Sequence, residues 1–289
     1  MKSLAILTLL GLVLFLPAHA QLNGPQGVLF DSKGNLWVAN GQGNNVLELD
    51  PSTGAILNTI SNGVNGSTRL WIDSLGHLWV DDTGNNTITV YDKLEAPGAH
   101  LLKSITNPGF SRSLGVVVDA YGDLYVSNTG AGTNDILAFN IAGGLVETLT
   151  KDAKGFPFDA PGVMVIQGQR IYVGFGPNYG TNFVISYNVG EFLTGDVKEI
   201  TYYNDNVNTG PTGIAFDQKG NIYIAEFTSN SWVEYRPSGE LPPLLVVDDG
   251  QGAPSGIAVD RQGYIYVSNA NYNNITVYNQ SGQLINTLN

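Results

Sequence analysis

The sequence predicts an all-β fold, a six-bladed β-propeller of four-stranded antiparallel blades, and three observations lead to it. An acidic turn, D-x-x-G, recurs at 31–34, 73–76, 119–122, 217–220 and 260–263, at intervals of 42, 46, 98 and 43 residues. Each turn joins two short runs in which apolar and small residues alternate with the period of a strand. Six residues after each acid stands a large aromatic: Trp37, Trp79, Tyr125, Tyr223 and Tyr266. A unit of this length cannot bury both of its faces, so the copies have to pack on one another.

The clearest copy, 254–279, shows the order of elements. A small and apolar strand at 256–259 is reversed by Asp260-Arg261-Gln262-Gly263, where the acid opens the turn and the glycine accepts positive φ. Residues 265–268 return as a second strand. A polar loop at 269–274 leads to Ile275-Thr276-Val277-Tyr278, whose β-branched and aromatic residues suit a pleated surface. Fourth, less regular strands follow, as at 55–60, 101–105, 145–149 and 284–288. The long interval hides a sixth, degenerate copy: Gly162-Val-Met-Val-Ile166 and Ile171-Tyr172-Val173 keep the strands, with Ile166 at the place of the acid. Blade boundaries fall near 21–63, 64–107, 108–155, 156–206, 207–249 and 250–289. An open solenoid is the competing arrangement, but its end copies should be polar caps, and here they are among the most regular. With only 21–24 ahead of the first inner strand, each blade should be built in chain order.

Residues 1–20 have the pattern of a signal peptide: Lys2, an apolar run at 4–16, and Ala18-His19-Ala20 before the cut. The expectation is one secreted or periplasmic domain, 21–289, monomeric and without a membrane span after signal removal. The formal net charge is −12, and cleavage removes one further lysine. Few, scattered basic residues argue against nucleic acid, whose phosphates need a cationic face. Without cysteine, disulfides and thiolate chemistry are excluded, and sheet packing has to hold the fold.

The unit P-x-G-[IV]-x-[VF]-D-x-x-G-x-[IL]-[WY]-[VI]-x-[ND], then N-x-[IV]-x-[VE]-[YLF]-[DN], resembles the NHL repeat over essentially all of 21–289. It is also similar to the gluconolactonase-like (SMP-30) and streptogramin-lyase-like six- and seven-bladed propellers. The resemblance implies a propeller whose uses range from sensing and partner binding to lactone or lyase chemistry.

In that arrangement the D-x-x-G turns share one face, and Asp31, Asp73, Asp119, Asp217 and Asp260 read as turn acceptors. The opposite face carries the loops after each second strand, at 40–45, 81–86, 128–135, 175–182, 226–231 and 269–274, together with the channel mouth. Those loops are rich in Asn, Gly and Ser, with Phe175, Tyr179, Phe227 and Tyr272 among them. Loop chemistry alone explains the Asn and Gly; a polar and aromatic rim for a small molecule, carbohydrate or protein is the functional alternative. Arg69 breaks the repeat, standing where other inner strands carry Gly27, Gly115, Gly162, Gly213 and Gly256. A cation there should meet a ring of second-strand ends, Asn40, Asp82, Asn128, Phe175, Glu226 and Asn269, with Arg112 as a second cation. An ion pair closing the channel explains Arg69 as well as a ligand anchor does.

Similar lactonases hold a divalent metal on carboxylates and amides at the channel mouth, one typically just before the inner-strand glycine. Here that place holds Gln26, Thr68, Leu114, Pro161, Thr212 and Ser255. A cation such as calcium would have only Asp82, Glu226 and Asn128, so no cofactor is expected. The lyases of similar shape need histidines, and the chain past the signal offers only His77 and His100, both outside the mouth. No G-x-S-x-G elbow occurs. The sequence therefore favours binding or sensing at the channel mouth. A metal-assisted lactonase or lyase is the alternative, with Asp82 and Glu226 around an ion and Arg69 as electrophilic clamp, and an inert structural propeller is the third reading.

Overall fold

Second strands such as Leu36–Asn40 and Leu124–Asn128 are buried at every position, because each sheet lies between two neighbours. Fourth strands such as Leu145–Leu149 and Leu284–Leu288 are largely exposed. This gradient from axis to rim is that of a ring of radial sheets. The computed structural model describes residues 21–92, 100–130, 132–151, 157–158, 160–176, 183–192, 201–203 and 210–289. The expected signal segment, Tyr179 and most of the fourth blade's 175–182 loop lie outside these residues.

Six four-stranded antiparallel sheets result, and in each the strands follow chain order from inner to outer edge. Their inner strands are Pro25–Phe30, Ser67–Ile72, Ser113–Val118, Pro161–Gln167, Pro211–Phe216 and Pro254–Val259. Among the described residues no strand crosses from one terminus to complete the blade at the other, as expected. The ring closes through side chains: Leu22, Val28 and Leu36 of the first blade share a cluster with Tyr266, Val277 and Leu288 of the last. Polar stitches add to it, Gly24 N–H donating to Asn273 Oδ1 at 2.8 Å and Arg261 Nη2 to the Ser32 carbonyl at 2.8 Å.

The repeated aromatics fill the gaps between blades. Trp37 packs with Leu70, Leu78 and Val80 of the second blade, Tyr172 with Ile214 and Ile224 of the fifth, and Tyr223 with Ile257 and Val267 of the sixth. Burying each contributes about 1.5–3 kcal/mol. In four blades the polar tip returns to the turn acid. Trp37 and Trp79 donate Nε1 to Asp31 and Asp73 at 3.2 and 2.9 Å, and the Tyr125 hydroxyl reaches Asp119 at 3.2 Å. The other oxygen of each acid accepts backbone N–H groups across the turn, as with Lys33 and Asn35 on Asp31. Turn and inter-blade core are thus one unit, which is why acid and aromatic recur together.

Glycine on the inner strand is a matter of close approach. A Cβ on Gly27 would stand 2.9 Å from the Thr68 carbonyl oxygen, one on Gly115 2.5 Å from that of Gly162, and one on Gly213 2.7 Å from the Ile257 nitrogen. The fourth blade corrects the sequence alignment by one residue. Its register pairs Pro161 with Phe175 and Met164 with Val173, so the bulge falls at Gly162 and Val163 takes the close-approach position. Opposite Val163 the second strand supplies Gly174, whose Cβ would come 2.9 Å from a Val163 methyl. Bulk and glycine have exchanged strands. The same register puts Gln167, not Ile166, at the place of the turn acid, and a two-residue turn with Gly168 at φ 64° replaces D-x-x-G.

Candidate ligand site in the central channel

The inner strands surround a cavity of about 260 Å³, lined by Gly27, Leu29, Arg69, Trp71, Met164, Thr212, Gly256 and their strand neighbours. This is close to the lower end, ~300 Å³, of pockets that hold small ligands. Among its lining residues Arg69 is the one formal charge. Asparagine, aspartate and glutamate at the second-strand ends do not reach it.

Those ends are engaged in holding the loops. Asn40 Oδ1 accepts the Asn23 N–H at 2.6 Å, Asp82 Oδ1 that of Asn65 at 3.3 Å, and Asn128 Oδ1 that of Ser111 at 3.2 Å. Asn269 Nδ2 donates to Asn274 Oδ1 at 3.1 Å, and Glu226 Oε2 accepts the Ser229 and Ser231 hydroxyls at 3.3 Å. All five side chains are buried. Phe175 is buried too, between Phe158 and Phe183, and forms no part of an exposed rim. Phe227 and Tyr272 remain exposed on the loops. Arg112 is exposed at φ 48°, its N–H held by Asn86 Oδ1 at 2.9 Å.

The Asn-rich loops have a structural use of their own. Asn44, Asn86, Asn230 and Asn273 all adopt left-handed backbone, φ 51–54°. Each side chain accepts an N–H from the lead-in of the next blade: Gly66 at 3.0 Å, Arg112 at 2.9 Å, Ala253 at 3.1 Å and Gly24 at 2.8 Å. Asparagine combines tolerance of this backbone with an acceptor of the right length.

Arg69 meets Asp81, not Asp82. The two are direct partners across the ladder, whereas Asp82 pairs with Ser67 and its carboxylate is shared by Asn65 N–H and the Thr89 hydroxyl. Successive residues of a strand face opposite ways, which separates the two acids. Asp81 Oδ1 accepts the Ser113 hydroxyl of the third blade at 2.5 Å, joining the blades as Ser127 does one blade later through the Gly162 carbonyl at 2.6 Å. Burial pushes the Asp81 carboxyl up to about 6, against the pull of Ser113 and Arg69. It pushes Asp82 up to about 7, with Asp81 adding to the rise. Arg69 is lowered to about 10 by burial and stays cationic at neutral pH. Its Nη1 donates to the Thr68 carbonyl at 2.8 Å, while buried Nε has no partner among the described residues.

Trp71 is the channel residue that sequence reasoning missed. It lies two positions beyond Arg69 on the same strand and lines the same cavity, with Nε1 on the Val118 carbonyl at 3.0 Å. The signal was present, since the equivalent positions hold Leu29, Val117, Val165, Ala215 and Ala258.

Both Asp82 oxygens are occupied within the blade, and no group of three or more metal-ligating acids or histidines occurs among the described residues. His77 belongs to the turn face, with Nδ1 on Asp73 Oδ2 at 3.0 Å, and His100 opens a fourth strand.

Solved structures place this architecture among known propellers. A streptogramin B lyase superposes with a TM-score of 0.66 at 17% identity, over 94% of this chain and 85% of that one. A gluconolactonase from Xanthomonas campestris gives 0.63 at 16%, over 87% and 84%. Hydrazine synthase from Kuenenia stuttgartiensis gives 0.66 at 15%, over 94% and 100%. No family model matches the chain, and no curated protein sequence is similar to it. The fold is a six-bladed β-propeller of four-stranded antiparallel blades, the architecture it shares with these neighbours. At these identities the likeness is one of fold, and proteins with unrelated chemistry share it.

Proposed function

We propose that this protein is an exported binding or sensing module that holds a small molecule in its central channel. The carrying observation is the channel itself: an apolar and glycine-lined cavity with a single guanidinium. A guanidinium binds and orients, but at neutral pH it neither accepts nor readily gives a proton. Of the acids that would complete proton-transfer chemistry, Asp82 and Glu226 hold loop groups and Asp81 holds the Ser113 hydroxyl of the next blade. Export rests on the leader pattern of residues 1–20.

A thermal-shift screen of small organic molecules on residues 21–289, followed by calorimetry, tests the reading. Ligands should bind the wild type and lose affinity when Val165→Trp or Leu29→Phe narrows the channel. Ligands unaffected by either change, or chemically converted by the protein in an NMR time course, would overturn it.

A further inference from the structure

The channel carries two departures from the repeat on one strand, and both line it. At the close-approach position the other blades have glycine or, in the fourth, valine; the second blade has Arg69. Two residues on, the others have Leu29 or smaller aliphatic side chains; the second has Trp71. Packing does not call for the arginine, whereas Trp71 also packs against the core clusters on either side of the third blade. Four blades close the ring with Gly at the first position, and a fifth does so with a valine matched by glycine across the ladder.

Arg69 is costly where it stands. A guanidinium beside an apolar cavity loses hydration, and a buried N–H without a partner is destabilising. Its Nε is in that state. Asp81 across the ladder offsets its charge only in part: the attraction between them raises the Arg69 pKa against burial, but among the described residues no ion pair joins them, and Asp81 Oδ1 is committed to Ser113. A carboxylate entering the channel would supply what Arg69 lacks, since guanidinium and carboxylate match as planar, charge-assisted partners. Trp71 offers an aromatic surface on the same side of the strand.

We infer that the channel binds a small carboxylic acid with a flat apolar body, the carboxylate on Arg69 and the body against Trp71. This rests on the reading of the channel as a ligand site and adds the ligand's class. Both residues are binding residues, and no bond is made or broken.

The test uses phenylacetate, its neutral amide phenylacetamide, and acetate, titrated calorimetrically into residues 21–289. Phenylacetate should bind more tightly than either of the others. Arg69→Gln should weaken phenylacetate by about tenfold or more, as expected for loss of a charge-assisted bond, and Arg69→Lys by less. Trp71→Leu, which restores the residue type of the first blade, should weaken phenylacetate but not acetate. Lys33→Gln, on the turn face, controls for net charge and should bind as wild type. Near-UV circular dichroism checks that each variant is folded, and Arg69→Lys keeps the test open if Arg69→Gln is not.

Equal binding of acid and amide, unchanged binding by Arg69→Gln, or no phenylacetate binding at all would overturn the inference. If acid and amide bind equally and Val165→Trp abolishes both, the channel remains a ligand site and only the acid class falls. If phenylacetate binds but narrowing the channel changes nothing, the ligand sits elsewhere and the reading of the channel falls with it.

Discussion

At the scale of single residues, the buried acids of the second blade dominate. Asp81 and Asp82 have their carboxyl pKa values raised by burial to about 6 and about 7, against ~3.9 in an unfolded chain. Between these limits the folded state holds more protons than the unfolded one, so the stability they contribute is complete below about pH 4 and falls as pH rises through 6 and 7. Asp73 acts in the opposite sense: burial raises it, but hydrogen bonds from Trp79 and His77 prevail and lower it, so its contribution is lost only in stronger acid. The melting temperature should therefore decline from pH 5 to pH 8, and Asp82→Asn, which keeps an acceptor for Asn65, should flatten that decline. A melting curve as steep in Asp82→Asn as in wild type would refute the assignment. Asp31→Ala removes the acceptor for Lys33, Asn35 and Trp37 together and should cost roughly 2–3 kcal/mol in urea unfolding. An effect within experimental error would show that the turn acids are dispensable.

At the scale of elements, the inner strands and the loops above them are where local rules meet ring geometry. Gly213→Ala would push a methyl against the Ile257 nitrogen and the Gly256 backbone, whereas a methyl on Gly162 finds nothing closer than 3.7 Å. The first change should destabilise by about 1–3 kcal/mol and the second by much less, read from denaturation midpoints at constant m-value. Equal effects would mean that inner-strand spacing is not set by these contacts. For the asparagine latches, Asn44→Gly keeps the left-handed backbone and removes only the bond to Gly66. Its expected cost is about 1 kcal/mol, and protection of the Gly66 amide from hydrogen exchange should drop selectively. These strands also show what a sequence alignment can mistake. Gly162 looks like the close-approach glycine, but it occupies the bulge, and only the ladder register separates the two.

At the scale of the whole molecule, the blades follow chain order and the first and last blades meet. Leu22 and Leu288 lie in one cluster, so joining the ends by a short flexible linker and opening the chain at 250 should give a circular permutant that melts within a few degrees of wild type. Deleting 250–289 instead exposes the clusters on both sides of the sixth blade, and the remaining chain should not unfold cooperatively. A cooperative five-blade fragment would show that closure is not needed for stability.

The sequence by itself determined the number of blades, their order, the turn acids, the aromatics between blades and the odd placement of Arg69, because each follows from residue type repeated at fixed spacing. Only the tertiary structure decided what surrounds Arg69. Strand alternation sends Asp81 and Asp82 to opposite faces, and lead-in loops far off in sequence claim Asn40, Asp82 and Asn128 as acceptors. A polar residue at a strand end reads the same whether it faces a channel or closes a loop. Which of the two it does depends on the N–H groups that the folded chain brings within reach.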